Sequence, residues 1–92
     1  MIKDFAHKGL ERFFKDSSKR GINASHAARI RRILDRLDIV PVPEDMNIPG
    51  WGFHGLAGNR KGQFSVSVSG NWGITFRVEN GDAYDVNLED YH

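Results

Sequence analysis

The sequence closes on Asp90-Tyr91-His92, a carboxylate, a phenol and an imidazole in succession, and a second imidazole, His54, lies well upstream. Side chains of these types can take a proton from a hydroxyl, return one to a leaving oxygen and hold a planar ring, the minimal equipment of general acid–base catalysis. Spacing alone does not commit them to that work, because a terminal histidine is usually just a chain end. Metal binding is disfavoured, since His7, His26, His54 and His92 form no i, i+4 pair and no cysteine is present to complete a Cys–His set. Serine-nucleophile motifs, phosphate-cradling loops before a helix and dinucleotide fingerprints are missing as well, because the Gly-rich stretches adjoin strand-like runs. Neither a metal nor an organic cofactor is expected.

These side chains need a scaffold, and its elements are legible as periodicities. Ile2 and Phe5 flank polar residues in a short segment read as an edge strand. Residues 8 to 19 read as a helix with Leu10, Phe13 and Phe14 on one face, Arg12, Lys15, Asp16 and Lys19 on the other, and Gly21 as its stop. Asn23 or Ser25 can cap a second helix, in which Ala27, Ile30, Ile33, Leu34 and Leu37 recur at helical spacing and Arg29, Arg32 and Arg36 face outward. Pro41, Pro43, Pro49, Gly50 and Gly52 make residues 39–52 a loop that Trp51 can anchor.

From residue 53 the period changes to two: Phe64, Val66 and Val68 alternate with serines, then Trp72, Ile74, Phe76 and Val78 alternate with Gly73, Thr75, Arg77 and Glu79. Trp72 shares the parity of the apolar set and is expected in the core. Gly70-Asn71 joins these strands as a tight hairpin, and Asn80-Gly81-Asp82 leads to a third strand with Tyr84, Val86 and Leu88. Paired residues share a face, so a two-residue Asn80-Gly81 loop would set Phe76 against Asp85, a carboxylate on the apolar face. A three-residue loop pairs Val78 with Tyr84, Phe76 with Val86 and Ile74 with Leu88, and is the register preferred here. Continued outward, it pairs Gly73 with Glu89 and brings Tyr91 diagonally beside Gly73, leaving Gly73, Thr75, Arg77, Asn87 and Tyr91 on an open polar face. The fold class that follows is α+β: two N-terminal helices packed on one face of a curved, mainly antiparallel sheet, one domain over residues 1–92.

The formal charge of +1 conceals an asymmetry: residues 1–36 carry ten Lys/Arg against four Asp/Glu, while residues 78–92 carry five acids and neither Lys nor Arg. Such a basic half can steer toward phosphates or an acidic partner, or be two solvated helix faces. The opening Met-Ile-Lys-Asp-Phe has no apolar leader run, and no stretch approaches the roughly 20 apolar residues of a membrane span, so a cytoplasmic protein without membrane association is expected.

Several segments together carry a resemblance. The run His54-Gly-Leu-Ala-Gly-Asn-Arg-Lys-Gly62, the strand Phe64–Val68, the Asn71-Trp-Gly-Ile-Thr-Phe76 segment, Asn80-Gly81 and the terminal Asp90-Tyr91-His92 resemble the HigB branch of the RelE superfamily. The similarity extends to Met1-Ile2-Lys3 and Leu37-Asp38, so it covers essentially the whole chain. It implies the RelE-like microbial ribonuclease fold and a toxin of a type II toxin–antitoxin system, which inhibits translation by cutting messenger RNA on the ribosome without a metal. The implied step is attack of a ribose 2′-OH on the adjacent phosphate, with His54, Asp90, Tyr91 and His92 as the functional group; which histidine is acid and which is base stays open. Arg60, Lys61 and Arg77 are expected to bind phosphate or ribosomal RNA. Implied partners are a HigA-like helix-turn-helix antitoxin, the ribosome and mRNA, with operator DNA met only through the antitoxin complex.

The sequence departs from the family pattern in one consequential place. Where that pattern reads Trp-Arg-Ile-x-Phe, this chain has Trp72-Gly73-Ile74-Thr75-Phe76, and Gly73 brings a strand penalty without packing benefit. A guanidinium there would present a fork of donors to the scissile phosphate, so its loss predicts impaired catalysis. Ala57, where some relatives carry lysine, thins the positive charge further. Two other readings remain: a RelE-fold module that binds an antitoxin or ribosome without cutting, and a generic RNA-binding domain, for which a stacking pair of aromatics on the polar face is missing.

Overall fold

The computed structural model describes residues 1–40 and 42–90. Helix α1 (Lys8–Asp16) starts at His7, whose Nδ1 accepts the Leu10 backbone N–H at 3.1 Å. It ends earlier than the periodicity predicts: Ser17 turns left-handed at φ 59° and donates its N–H to the Phe13 carbonyl, closing the helix before Gly21 is reached. Asn23 Oδ1 accepts from the Ser25 N–H and caps a 3-10 turn, Ala24–His26, that runs straight into helix α2 (Ala27–Ile39).

The five apolar positions of α2 are all buried, together with Leu10 and Phe13 of α1. Its arginines behave differently from the prediction, and only Arg32 of the three named there stands exposed. Arg29 donates to the carbonyls of Ser67 and Gly50 at 2.9 and 2.8 Å and lies over the Trp51 ring, while Arg36 donates to the Asp45 carbonyl at 2.7 Å. Long aliphatic stems let these guanidiniums cross apolar surface and donate to the loop carbonyls of Gly50 and Asp45 and to that of Ser67 in the sheet. Trp51 is 9% exposed and does anchor the loop, which also buries Met46.

The sheet has four strands in sequential, antiparallel order: β1 (His54–Gly55), β2 (Phe64–Ser69), β3 (Trp72–Glu79) and β4 (Asp82–Asp90). The N-terminal segment lies beside β4 through parallel bridges Ile2–Ala83 and Phe5–Val86, the edge position predicted for it. Val66, Ile74, Phe76 and Val86 face the helices and are fully buried.

The β3–β4 register combines both options the sequence left in contention. Near the turn the pairs are Glu79–Asp82, Val78–Ala83 and Arg77–Tyr84, so the loop is the two-residue Asn80-Gly81 turn, with φ of 52° and 81°. Two positive φ values match the twist of the flanking strands, which is why Asn-Gly wins over the predicted three-residue loop. Farther out the pairs are Thr75–Asn87, Ile74–Leu88 and Gly73–Glu89, as the other register requires. The difference is absorbed by a bulge in which Asp85 and Val86 together oppose Phe76 and Asp85 takes φ 55°. The bulge lifts the Asp85 carboxylate off the apolar face, and Tyr84, predicted in the core, instead lies across from Arg77 on the outer face, with Ala83 in the buried place.

Trp72 is the second correction. It has the predicted parity but is 39% exposed, because it stands at the end of the sheet where the polypeptide between the two helices covers it only in part.

Candidate active site

Cross-strand pairing builds a polar row on the face away from the helices. His54 pairs with Ser65, Ser65 with Thr75 and Thr75 with Asn87, so one residue from each strand points the same way over a span of roughly 14 Å. The adjacent row is Ser67, Gly73 and Glu89. The face is less open than the sequence predicts: Ser65, Thr75 and Gly73 itself are buried, and the loop after β1 reaches back over it through Arg60.

His54 is exposed, and its Nδ1 lies 2.9 Å from the Gly52 carbonyl. A carbonyl oxygen only accepts, so the ring donates its Nδ1–H to Gly52. Gly52, at φ 59°, supplies the backbone bend that turns this carbonyl toward the ring.

Beside that row, Arg60 and Glu89 form a fork-to-fork pair, Nη1 to Oε1 at 2.8 Å and Nη2 to Oε2 at 2.6 Å. Arg60 Nε and Nη2 also donate to Gln63 Oε1, and the Thr75 hydroxyl donates to Glu89 Oε2. Hydrogen bonding from Arg60 holds the Glu89 carboxyl below the usual carboxylate range; Thr75 and Asn87 add to this, and partial burial opposes it. Sequence reading foresaw the Gly73–Glu89 pairing but not this cluster. The available signal was the register itself, which set a carboxylate opposite Gly73.

The other predicted cations differ from one another. Lys61 is exposed at the end of the 3-10 turn Gly58–Arg60, near exposed Ala57. Arg77 donates from Nε to Asp85 Oδ2 at 2.8 Å, pairs also with Glu79, and lies over the Tyr84 ring at 4.8 Å. Asp90 pairs with Trp72, one residue out of phase with Glu89, so its strand position and that of His54 lie on opposite sides of the sheet. Gly73 and His54 therefore share the outer face and Asp90 does not. Tyr91 and His92 lie outside the described residues. Among the described residues no three His, Asp or Glu side chains gather as a metal site would need, and no helix is long and apolar enough to cross a membrane.

The family model for the RelE-like toxin HigB of type II toxin–antitoxin systems matches residues 3–92. The Endoribonuclease HigB of Proteus vulgaris is 41% identical over 92 residues, the full length of both chains. Toxin HigB-1 of Vibrio cholerae serotype O1 is 33% identical over 91 residues, covering 97% of this chain and 96% of that protein. A matching α+β architecture and matches that run from end to end agree: this chain belongs to the HigB-like, RelE-like toxins of type II toxin–antitoxin systems, a membership that implies a cognate antitoxin.

Proposed function

We propose that this chain is an endoribonuclease that cuts messenger RNA on the ribosome by metal-independent 2′-OH attack, and that Gly73 lowers its rate. The observation that carries the reading is His54, whose tautomer is fixed by the Gly52 carbonyl on the face that also holds Gly73 and Glu89. In the reaction the 2′-oxygen bonds to the adjacent phosphorus as its proton passes to a base, and the P–O5′ bond breaks as an acid protonates the 5′-oxygen. The products are a 2′,3′-cyclic phosphate and a 5′-hydroxyl. With Nδ1 engaged by the Gly52 carbonyl, His54 takes part in proton transfer through Nε2, as base or as acid. Tyr91 and His92 are the further members of the group, whereas Asp90 stands on the opposite side of the sheet from His54, and Lys61 is the exposed cation whose charge is best placed to meet RNA.

The partners in this reading are a HigA-like helix-turn-helix antitoxin, ribosome and mRNA, in the cytoplasm, with operator DNA contacted only by the antitoxin complex. A second reading, a toxin-fold module that binds without cutting, is favoured by one specific observation: Arg60 and Arg77 are both matched by carboxylates, so little net positive charge faces outward at Gly73. Induced growth inhibition separates the two. At equal expression, Gly73→Arg should inhibit growth far more strongly than the unaltered chain, because a single transition-state donor is worth about 10² to 10³ in rate. Equal toxicity of the two would favour the binding module.

A further inference from the structure

Outside the candidate active site, one pocket of about 90 Å³ opens at the end of the sheet on the helix side, lined by His7, Ile22, Asn23, His26, Trp72 and Leu88. It is smaller than the few hundred Å³ of a typical small-molecule site, so it suits the edge of a planar group whose remainder stays outside. The indole of Trp72 is its half-exposed wall.

Two of the polar groups around it, Asn23 and His7, present donors. Asn23 commits its side-chain oxygen to the Ser25 N–H and hydroxyl, at 2.9 and 2.7 Å, which leaves its amide N–H groups to donate. His7 accepts at Nδ1 from the Leu10 N–H, so in its neutral form the proton is on Nε2. Burial holds its pKa down, which favours that neutral form.

The rim is basic. Arg12 Nη2 lies 3.3 Å from where a Cβ on Gly21, itself part of the lining, would stand, which puts a guanidinium at this edge. The carboxylate at this edge is Asp90, across the strand pair from Trp72, so an approaching phosphate is directed to the Arg12 side. Trp72 also precedes Gly73 in β3, which puts the pocket and the candidate active site on opposite faces of the same strand end.

We propose, building on the ribonuclease reading above, that this pocket holds a nucleobase of the RNA away from the cleaved bond, stacked on Trp72, its acceptor edge toward His7 and Asn23 and its phosphate toward Arg12. A base offers the flat face and ring acceptors that a half-exposed indole between N–H donors recognises, and a polyanion matches the rim.

The test uses the second indole as an internal control, because Trp51 is buried and Trp72 is not. A short 2′-O-methyl RNA oligonucleotide, which 2′-OH attack cannot cut, is titrated against the whole chain while tryptophan emission is followed. Saturable quenching is expected in the unaltered chain, and fluorescence anisotropy of an end-labelled copy of the same oligonucleotide, which needs no tryptophan, should show binding weakened about tenfold in Trp72→Leu and recovered in Trp72→Phe, as loss and restoration of one stacked base would give. Arg12→Gln should lower the salt dependence of binding. Melting curves establish that each variant folds. Equal affinity of folded Trp72→Leu and the unaltered chain would overturn the proposal, as would quenching of Trp72 by the antitoxin but not by RNA. If ribosomal cleavage is found without quenching, the subsite fails and the ribonuclease reading stands; quenching without cleavage by any form gives the reverse.

Discussion

Arg60 and Glu89 close a two-point ion pair directly across the strands from Gly73. Glu89 therefore has a cationic partner even though position 73 supplies none. A guanidinium introduced at 73 would enter a buried strand position beside a carboxylate already engaged by Arg60, so the two arginines would compete for Glu89.

The pair makes a pH-dependent contribution whose sign is fixed by the lowered Glu89 pKa. A carboxyl more acidic folded than unfolded stabilises fully above the usual carboxylate range and loses that stabilisation as pH falls through the folded value. With side chains 39% and 20% exposed, solvent screening limits the effect to about 1 kcal/mol. Thermal melts of the unaltered chain and Glu89→Gln between about pH 7 and about pH 3 should start apart and converge in acid. A gap that stayed constant would show that Glu89 acts through packing rather than charge.

The Asp85 bulge predicts a graded response to substitution. At φ 55° a β-branched residue is strained, so Asp85→Val should lower stability by about 1–3 kcal/mol, also losing the Arg77 ion pair. Asp85→Gly relieves the backbone and loses the same ion pair, and should stay within about 1 kcal/mol of the unaltered chain. Urea unfolding midpoints decide the matter; equal losses for Val and Gly would mean that the ion pair, not the bend, is what the position needs.

These elements show what could be read from residues and what could not. The helical faces of α2, the strand parities and the Gly73–Glu89 pairing follow from periodicity, because each depends on a repeat of 3.6 or 2 along one segment. The β3–β4 pairing departs from a single register because one residue at positive φ lets two coexist. Trp72 is exposed despite its parity because parity tells which face a side chain joins but not where the covering helices stop. The Arg60 contact depends on a loop closing over the sheet, and nothing local in that loop encodes where its guanidinium lands. His54 was identified by resemblance; its tautomer comes only from the nearby Gly52 carbonyl.

His7 predicts a second pH effect, of similar sign. Burial lowers its pKa from 6.5, so the neutral, cap-accepting form is the one folding selects. Its contribution is complete above 6.5 and declines as pH falls through that value toward the lowered one. His7→Asn preserves the capping acceptor without a titrating ring, and its melting temperature should be less sensitive to pH between about 8 and about 5. His7→Ala should cost about 1 kcal/mol at neutral pH. Parallel pH profiles for the unaltered chain and His7→Asn would remove His7 from the stability balance.

The most direct measurement is primer extension on messenger RNA in reconstituted translating ribosomes, with the unaltered chain, Gly73→Arg, and Gly73→Arg carrying His54→Ala. The ribonuclease reading predicts codon-positioned cuts by Gly73→Arg, weak or no cuts by the unaltered chain, and at least about a 10²-fold loss on removing the imidazole. Intact messenger RNA with all three, from folded protein bound to ribosomes, would contradict it and leave a toxin-fold module that binds without cutting.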